Sequence, residues 1–334
     1  MELEFLGTSS GTPTRTRNVA GVALRLDGGG WLLVDCGEGT QHRILQTTLS
    51  LHALRAVFIT HLHGDHCYGL PGLLASAGMA NRTEPLTVVG PPPLDAYLQG
   101  VMATTALHLP YEIHCIGVGE AEAGAPLSGV NVSVTALSHR LPSYAYGFAE
   151  AAVERRLDTA RLRADGVPPG PAWGRLQQGD TVTLPDGRIL QGADYLQAPR
   201  KARKIVIAGD NDTPALLAQE LAAADVLVHE ATYTDAVLAK VGPGPQHSSA
   251  RMVAQCAAEA KLPNLVLTHF SPRYQDDDSD GGPPGLTLAA LRDEAQAHYG
   301  GNLLLASDLA RYRLDRDGTL VPVAPVAADR AHQA

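Results

Sequence analysis

Residues 57–66 read VFITHLHGDH, an apolar run that leads directly into three histidines and one aspartate. Neutral imidazole and carboxylate groups are ligands that suit zinc and similar divalent ions. A tight turn can direct His61 and His63 to one metal while Asp65 and His66 face another. If four such groups within six residues were buried without a metal, they could not satisfy one another's polar atoms. The stretch therefore predicts part of a two-metal site rather than four polar groups that merely cap a loop.

Other short apolar runs in the chain also end in an ionisable residue. Runs that are apolar at every position suit strands covered on both faces, and the stretches at 215–223, 248–260 and 286–298 have helical character. Open α/β sheets place their chemistry beyond the strand ends. The pattern therefore predicts an α/β fold with one shared site at a sheet edge. The runs lie at 31–34, 57–60, 205–209, 226–228, 265–268 and 303–307, and they end at Asp35, His61, Asp210, His229-Glu230, His269 and Asp308.

The histidine motif cannot complete two coordination shells, so further ligands must come from elsewhere in the chain. His139 would complete the shell of the first metal and His269 that of the second, while Asp210 could bridge both ions through its two oxygens. Each of these three residues, taken singly, also has an ordinary core or surface interpretation. Two metals about 3.5–4 Å apart activate water and stabilise both the entering and the leaving oxygen of a displacement. The combined set predicts hydrolysis.

The composition excludes several classes of protein. The 334 residues are 45% hydrophobic and 18% charged, and no apolar run approaches the length of about 20 residues that a membrane span needs. The first residues lack the pattern of a secretory signal, so a cytoplasmic location is expected. Four widely separated cysteines without a C-x-x-C pair indicate neither a disulfide framework nor a cysteine-based zinc site.

Charge is unevenly distributed along the chain. The formal net charge of −9 argues against indiscriminate binding to nucleic acid. Residues 155–204 nevertheless contain ten Lys or Arg against five Asp, and the Pro- and Gly-rich stretch 166–171 lies among them. We interpret residues 155–200, with approximate limits, as an inserted arm. The basic segment 155–204 indicates either a localised contact with a polyanion or a solvated surface element of mixed charge. The tail at 321–334 is expected to be frayed.

Taken in order, the motifs resemble those of the metallo-β-lactamase superfamily and, within it, of the ribonuclease Z family, the short-form tRNA 3′-processing endonucleases. The H-x-H-x-D-H motif alone would identify only the superfamily. The resemblance covers nearly the whole chain and implies one domain over residues 1–334 with a four-layered αβ/βα fold and a protruding arm. It rests on FLGTSSGTP at 5–13, DCGEGTQ at 35–41, the motif at 61–66, His139 followed by Pro142 and Tyr146, Gly209-Asp210, HEAT at 229–232, QHSS at 246–249 and THFSPRY at 268–274.

The resemblance also implies cofactors, partners and residue roles. Two divalent ions per subunit are expected, most readily Zn²⁺ with Mn²⁺ or Co²⁺ as alternatives, in a homodimer that acts on precursor tRNA. Asp65 is expected to ligate metal and to hold or deprotonate the attacking water. His247 is expected to give a proton to the leaving 3′-oxygen, with Glu230 holding its imidazole. Asp35 and His229 are expected behind the ligands, where they fix imidazole tautomers.

Two further points follow from the resemblance. Gly170, Pro171 and Arg175 of the arm are expected to contact tRNA away from the scissile bond. The family usually has threonine after the Gly-Asp pair, whereas Asn211 follows Asp210 here. This departure puts only the local orientation of the aspartate in question.

Two classes of function remain open on the sequence. One is a metal-dependent endoribonuclease that removes the 3′ trailer from precursor tRNA and leaves a 3′-hydroxyl. The other is a small-molecule hydrolase of the same superfamily that cleaves a thioester, a lactone or a cyclic phosphodiester with the same ligands. The arm and the combination of His229, Glu230 and His247 favour the first. A catalytically silent RNA-binding protein is disfavoured because no metal ligand is missing.

Overall fold

The computed structural model describes residues 1–122, 129–276 and 286–324 and contains two large mixed β-sheets of eight and six strands. The strands, in chain order, are β1 (Glu2–Gly7), β2 (Gly21–Arg25), β3 (Trp31–Val34), β4 (Leu54–Phe58), β5 (Leu86–Gly90), β6 (Ile113–Gly117), β7 (Val130–Leu137), β8 (Ser143–Glu150), β9 (Thr181–Thr183), β10 (Ile189–Gln191), β11 (Lys204–Ala208), β12 (Val226–Glu230), β13 (Asn264–Thr268), β14 (Asn302–Leu305), β15 (Arg311–Leu314) and β16 (Leu320–Val323). The helices are α1 (Thr40–Ile44), α2 (Gly64–Cys67), α3 (Leu70–Met79), α4 (Pro93–Thr105), α5 (Val118–Glu122), α6 (Thr159–Ala164), α7 (Pro171–Gln177), α8 (Ala218–Leu221), α9 (Asp235–Val241), α10 (Ala250–Glu259) and α11 (Leu288–Gln296).

The chain divides into two units. The larger comprises Met1–Ala149 and Arg203–Ala334, and the smaller comprises Glu150–Ala202. Within the described part of the larger unit, one sheet has the strand order β16-β15-β1-β2-β3-β4-β5-β6 and the other β14-β13-β12-β11-β8-β7. Strands β3 to β6 run parallel in the first sheet, and β11 to β14 run parallel in the second.

Three apolar layers hold the larger unit together. The layer between the sheets contains Phe5, Phe58, Phe148 and Val228. A second layer lies between the first sheet and helices α1, α3 and α4, and a third lies between the second sheet and helices α8, α10 and α11. Every residue of β3 and β12 is buried because both faces of each sheet are covered. The layers run helix, sheet, sheet, helix, which confirms the predicted four-layered α/β fold.

The sheets determine where the polar residues meet. Because parallel strands end at the same edge of a sheet, the residues that follow β3 and β4 lie side by side, as do those at the ends of β11, β12 and β13. Asp35, His61, Asp210, Glu230 and His269 occupy these positions. The fold therefore gathers the polar strand ends of both sheets at one edge of the larger unit.

The smaller unit has a core of its own. Its helices α6 and α7 and its hairpin β9–β10 enclose the apolar cluster Leu162, Val167, Leu176, Val182, Leu190 and Tyr195. The sequence pattern predicted an inserted arm here and identified none of these elements. The elements are three to seven residues long, too short to display a helical or strand period.

The described part of the C-terminal segment corrects another expectation. Residues 321–323 belong to β16 and pair with β15, with Val321 opposite Arg313. The predicted frayed tail is therefore wrong for its first three residues, because their backbone groups are hydrogen-bonded in the sheet. Residues 325–334 lie outside the described part of the chain. No helix within that described part is long and apolar enough to span a membrane.

Candidate metal centre and active site

Three histidines and one aspartate form the first donor set. His61 Nε2 and His139 Nε2 each lie 3.1 Å from His63 Nδ1. Asp210 Oδ2 lies 3.6 Å from His61 Nε2 and 3.7 Å from His139 Nε2. The four donor atoms all lie within 4.8 Å of one another. The structure thus brings His139 and Asp210 to the histidine motif, although both are distant from it in sequence.

Asp65, His66 and His269 form the second donor set. His66 Nε2 lies 3.2 Å from His269 Nε2, and Asp65 Oδ2 lies 3.3 Å from the same His269 nitrogen. The other oxygen of Asp210, Oδ1, lies 3.5 Å from His66 Nε2 and 3.4 Å from His269 Nε2. Asp210 therefore faces one set with each oxygen. Its orientation is that of a bridging carboxylate even though Asn211 follows it.

The spacing of the histidine nitrogens fits divalent metal ions. Two nitrogens bound to one tetrahedral zinc, with Zn–N bonds of about 2.0–2.1 Å, lie about 3.3 Å apart. The outer nitrogens are engaged elsewhere, since His66 Nδ1 donates to Asp35 Oδ2 at 2.7 Å and His139 Nδ1 donates to the carbonyl of Gln246 at 2.8 Å. Such outer bonds fix the tautomer that turns the lone pair inward. Both donor sets can accept metal ions.

Burial and neighbouring charges shift the pKa values of the first donor set and of Asp65 in the direction that metal binding needs. Burial, together with neighbouring imidazoles, holds the pKa of His61 well below its usual value and lowers that of His63 to about 4. These rings are therefore uncharged at neutral pH and offer a lone pair. Burial alone would raise the pKa of Asp65, but His66 and His269 hold it far below the usual range. Asp65 is thus an anion at neutral pH.

The pKa of His66 shifts in the opposite direction from those of His61 and His63. Burial would lower its pKa, but the carboxylates of Asp210, Asp65 and Asp35 raise it well above the usual value. The three carboxylates therefore favour a positive charge at this ring. A cation that binds at its Nε2 competes there with a proton. The excess of carboxylates around one imidazole is what a positively charged ion at this point would neutralise.

Asp35 connects the segment that follows β4 to His66, a candidate metal ligand. Its Oδ1 accepts the Thr60 backbone N–H at 2.8 Å, and its Oδ2 accepts the Thr60 hydroxyl at 2.9 Å besides His66. Asp35 has φ 60° and His269 φ 57°, in the left-handed region that residues other than glycine rarely adopt. Both residues directly follow a strand. Such local strain is typical of functional sites, where the surrounding structure holds it in place.

Glu230 and His247 form a pair beside the donor sets. Glu230 Oε1 lies 3.1 Å from His247 Nδ1 and accepts the Ser248 N–H at 2.8 Å. Burial would lower the pKa of His247, but Glu230 and Asp210 raise it to about 9. His247 also lies within 4.8 Å of donor atoms of Asp210 and His269, so its position is compatible either with proton donation or with metal ligation.

The remaining predicted residues do not belong to the two donor sets. His229 is buried and bonds to Asn211 and to the backbone carbonyl of Glu230, so it reaches the donor sets through Asn211. Gly170, Pro171 and Arg175 belong to the smaller unit, at the start and in the middle of α7. The Arg175 side chain is 59% exposed and its Nε lies 3.8 Å from Asp180 Oδ2.

Comparison with known proteins shows close relatives of this chain. It is 52% identical over 318 residues to ribonuclease Z of Marinobacter nauticus, covering 95% of this chain and 97% of the relative. It is 51% identical over 324 residues to ribonuclease Z of Pseudomonas putida, covering 97% of this chain and 100% of the relative. The chain belongs to the ribonuclease Z family. The family predicted from the motifs is therefore confirmed.

Ribonuclease Z relatives of known structure share the fold. The crystal structure of the human short-form tRNase Z matches with a TM-score of 0.63 and 25% identity over 94% of this chain and 100% of that chain. A family model described as anti-Pycsar protein Apyc1 matches residues 1–139. That stretch includes the motif at 61–66 and His139 but not Asp210 or His269, so it covers only part of the two donor sets.

Three groups in this ribonuclease Z family member had no role assigned from the sequence. The Thr232 hydroxyl donates to Glu230 Oε2 at 2.5 Å and lies 3.1 Å from His269 Nδ1, joining the two. The Gly11 N–H donates to Asp65 Oδ2 at 2.7 Å, at a backbone φ of 70° that favours glycine. Asn211 is the third. Thr232 and Gly11 lie in motifs quoted above, but nothing in those motifs reveals which atom meets which.

Proposed function

We propose that this member of the ribonuclease Z family hydrolyses the phosphodiester that joins the 3′ trailer to a precursor tRNA, and leaves a 3′-hydroxyl on the tRNA. One observation carries the proposal: two sets of histidine and carboxylate donors share Asp210 in a chain half identical to ribonuclease Z relatives over nearly its full length. The family makes the enzyme a metal-dependent endoribonuclease.

The donor sets suggest how two ions are held. His61, His63 and His139 would hold one ion, and Asp65, His66 and His269 the other, with Asp210 between them. Imidazole and carboxylate donors suit Zn²⁺ best, with Mn²⁺ or Co²⁺ as alternatives. Divalent ions here would supply a water nucleophile at neutral pH and positive charge against the phosphate.

Asp65 orients the attacking water in this proposal. The Gly11 N–H and His269 hold its carboxylate in place. The carboxylate accepts a proton from the water as the water oxygen bonds to phosphorus. The bond between phosphorus and the 3′-oxygen of the tRNA then breaks, and the phosphate stays on the trailer.

His247 supplies the proton that the departing 3′-oxygen needs. Its Nδ1 is engaged by Glu230, which leaves Nε2 on the opposite side of the ring for the donation. Glu230 is fixed in turn by the backbone N–H of Thr232 at 2.9 Å, besides that of Ser248. Asp35 and His229 orient the groups in front of them. A homodimer and a cytoplasmic site of action rest on the family resemblance and on the location of precursor tRNA.

We expect the purified protein, loaded with zinc, to shorten a precursor tRNA with a 3′ trailer and to leave mature tRNA uncut. Gel analysis of the RNA, with mapping of the new 3′-hydroxyl end, measures this. Chelation should stop the reaction and added zinc should restore it. A thioester, a lactone and a cyclic phosphodiester are tested in parallel. If trailers stay intact under zinc, manganese and cobalt while one of these compounds is hydrolysed, the small-molecule alternative replaces the proposal.

The smaller unit, which carries eight Lys or Arg against seven Asp or Glu, is proposed to bind the tRNA away from the scissile bond through individual exposed arginines. Arg175 is exposed, and its ion pair with Asp180 is of a kind that contributes little to stability. The side chain can therefore exchange Asp180 for a phosphate. Gly170 and Pro171 shape the start of its helix, where a proline fits because it lacks an N–H.

Substituting Arg175→Ala should raise KM for precursor tRNA several-fold and leave kcat unchanged. A plot of the logarithm of the binding constant against the logarithm of the salt concentration should be less steep by about 0.7–0.9, since one phosphate contact is lost. The exposed Arg316 in the larger unit provides a control of equal charge, and Arg316→Ala should change neither quantity. Identical KM values and salt slopes for Arg175→Ala and the wild type would remove Arg175 from the tRNA contact.

A further inference from the structure

Asn211 is fully buried directly after Asp210, and its side chain joins separate parts of the larger unit. The amide oxygen accepts the backbone N–H of Ser138 at 3.2 Å and that of Thr213 at 3.1 Å. The amide nitrogen lies 3.2 Å from His229 Nε2. One side chain thus contacts the loop after β7, the loop after β11 and the end of β12.

The hydrogen-bonding arrangement is unambiguous. Backbone N–H groups only donate, so the amide oxygen of Asn211 must face Ser138 and Thr213, and the amide nitrogen must face His229. His229 Nδ1 lies 2.7 Å from the Glu230 backbone carbonyl, which only accepts. His229 therefore carries its proton on Nδ1 and offers the lone pair of Nε2 to Asn211. This pairing leaves a single neutral tautomer of the histidine.

The first of these bonds acts on His139. Ser138 directly precedes His139, and its carbonyl also accepts the backbone N–H of Asp212 at 3.0 Å. Two hydrogen bonds therefore join the His139 loop to the segment that carries Asp210: the Ser138 N–H donates to the Asn211 side chain, and the Asp212 N–H donates to the Ser138 carbonyl. His139 and Asp210 belong to the same donor set, so the distance between them depends on these two hydrogen bonds.

The backbone of Asn211 reaches the opposite side of the site. Its carbonyl accepts the Ser248 hydroxyl at 2.5 Å, and its N–H lies 3.4 Å from Glu230 Oε1. Ser248 directly follows His247. Asn211 thus lies between the loop that carries His139 and the pair formed by Glu230 and His247.

We propose that Asn211 is a positioning residue whose amide couples the His139 loop to His229 and so sets the place of His139 in the first donor set. The inference rests on the proposed function only in taking His139 as a metal ligand. A threonine hydroxyl at this position would donate and accept through one atom. The asparagine amide separates donor and acceptor at its two ends, and therefore spans from His229 to Ser138.

Three variants separate the parts of this coupling. Asn211→Leu removes every side-chain hydrogen bond and keeps the number of side-chain heavy atoms. Asn211→Asp keeps an acceptor for Ser138 and removes the donor to His229. Asn264→Leu is the matched control, because Asn264 is also buried and donates to the carbonyls of Asp225 at 2.7 Å and Gly318 at 2.8 Å. It lies at the start of β13, the end of the strand remote from His269.

The first two measurements use the metal-free protein and need no RNA. In Asn211→Leu we expect at least tenfold faster hydrogen exchange at the Ser138 amide. In Asn211→Asp we expect that amide to stay protected while the imidazole ¹⁵N signals of His229 change to those of a ring protonated at Nε2. Asn264→Leu should lower Tm without altering either signal. Asn211→Asp also keeps the test valid if the leucine variant does not fold.

The third measurement uses the metal-loaded protein. Asn211→Leu should weaken zinc binding, measured by chelator competition, by about 10–100-fold, as expected when a partner behind a ligand is lost. It should lower kcat with KM within twofold, and Asn211→Thr should restore part of the loss. Wild-type Ser138 exchange and wild-type zinc affinity in Asn211→Leu would overturn the inference. If the wild type cuts no trailers while the metal-free signals respond as described, the proposed function fails and the coupling stands.

Discussion

Substituting His63→Ala should lower the rate of trailer cleavage by at least about a thousandfold, which corresponds to about 4 kcal/mol of lost transition-state stabilisation. His63 Nδ1 is the atom that both His61 Nε2 and His139 Nε2 approach to 3.1 Å, so its loss opens the first donor set at its centre. Single-turnover cleavage of a precursor tRNA measures the effect. The affinity for RNA should stay within about twofold, because the proposed tRNA contacts lie in the smaller unit.

The metal content of the same variant makes this prediction specific. The second donor set keeps Asp65, His66, His269 and one oxygen of Asp210, so zinc should fall by about one ion per chain rather than disappear. His298→Ala is the control, because His298 is exposed and lies two residues beyond the end of α11. It should keep both the wild-type rate and the wild-type zinc content. Turnover at the wild-type rate in His63→Ala would remove His63 from the site.

The sequence predicted most of the site because the site follows the strands. Apolar runs identify strands, parallel strands end together, and the ionisable residue after each run marks the shared edge. Asp35, His61, Asp210 and His269 were all recognisable in this way, and the structure brings them together. His139 was proposed to complete the first shell on a weaker signal, since no apolar run ends directly at it.

The contacts behind the donor sets were not predictable. The bond from Asn211 to Ser138 joins loops 73 residues apart, and the bond from Gly11 to Asp65 joins segments 54 residues apart. Such contacts depend on loop conformations that no local pattern encodes. The core of the smaller unit could not be predicted from the sequence for a related reason, because its helices and strands are too short to show a hydrophobic period.

His247→Ala should lower kcat for trailer cleavage by about 10²–10⁴-fold, the usual contribution of a general acid, with KM little changed. The physical reason is that the 3′-oxygen leaves as an unstable alkoxide unless it is protonated. A second interpretation has to be separated from this one, because His247 also lies within ligand distance of Asp210 and His269. Zinc content discriminates between the two: a proton donor can be removed without loss of metal, whereas a ligand cannot.

A change of leaving group tests proton donation directly. A precursor whose scissile 3′-oxygen is replaced by sulfur leaves as a thiolate, which is stable without a proton because a thiol is much more acidic than an alcohol. We expect the defect of His247→Ala to shrink to less than about tenfold on this substrate, while that of His63→Ala persists. Glu230→Gln should follow the pattern of His247→Ala, since Glu230 holds Nδ1 of the ring at 3.1 Å. An equally large defect of His247→Ala on both substrates, with zinc lost, would make His247 a ligand and leave the proton donor to be found elsewhere.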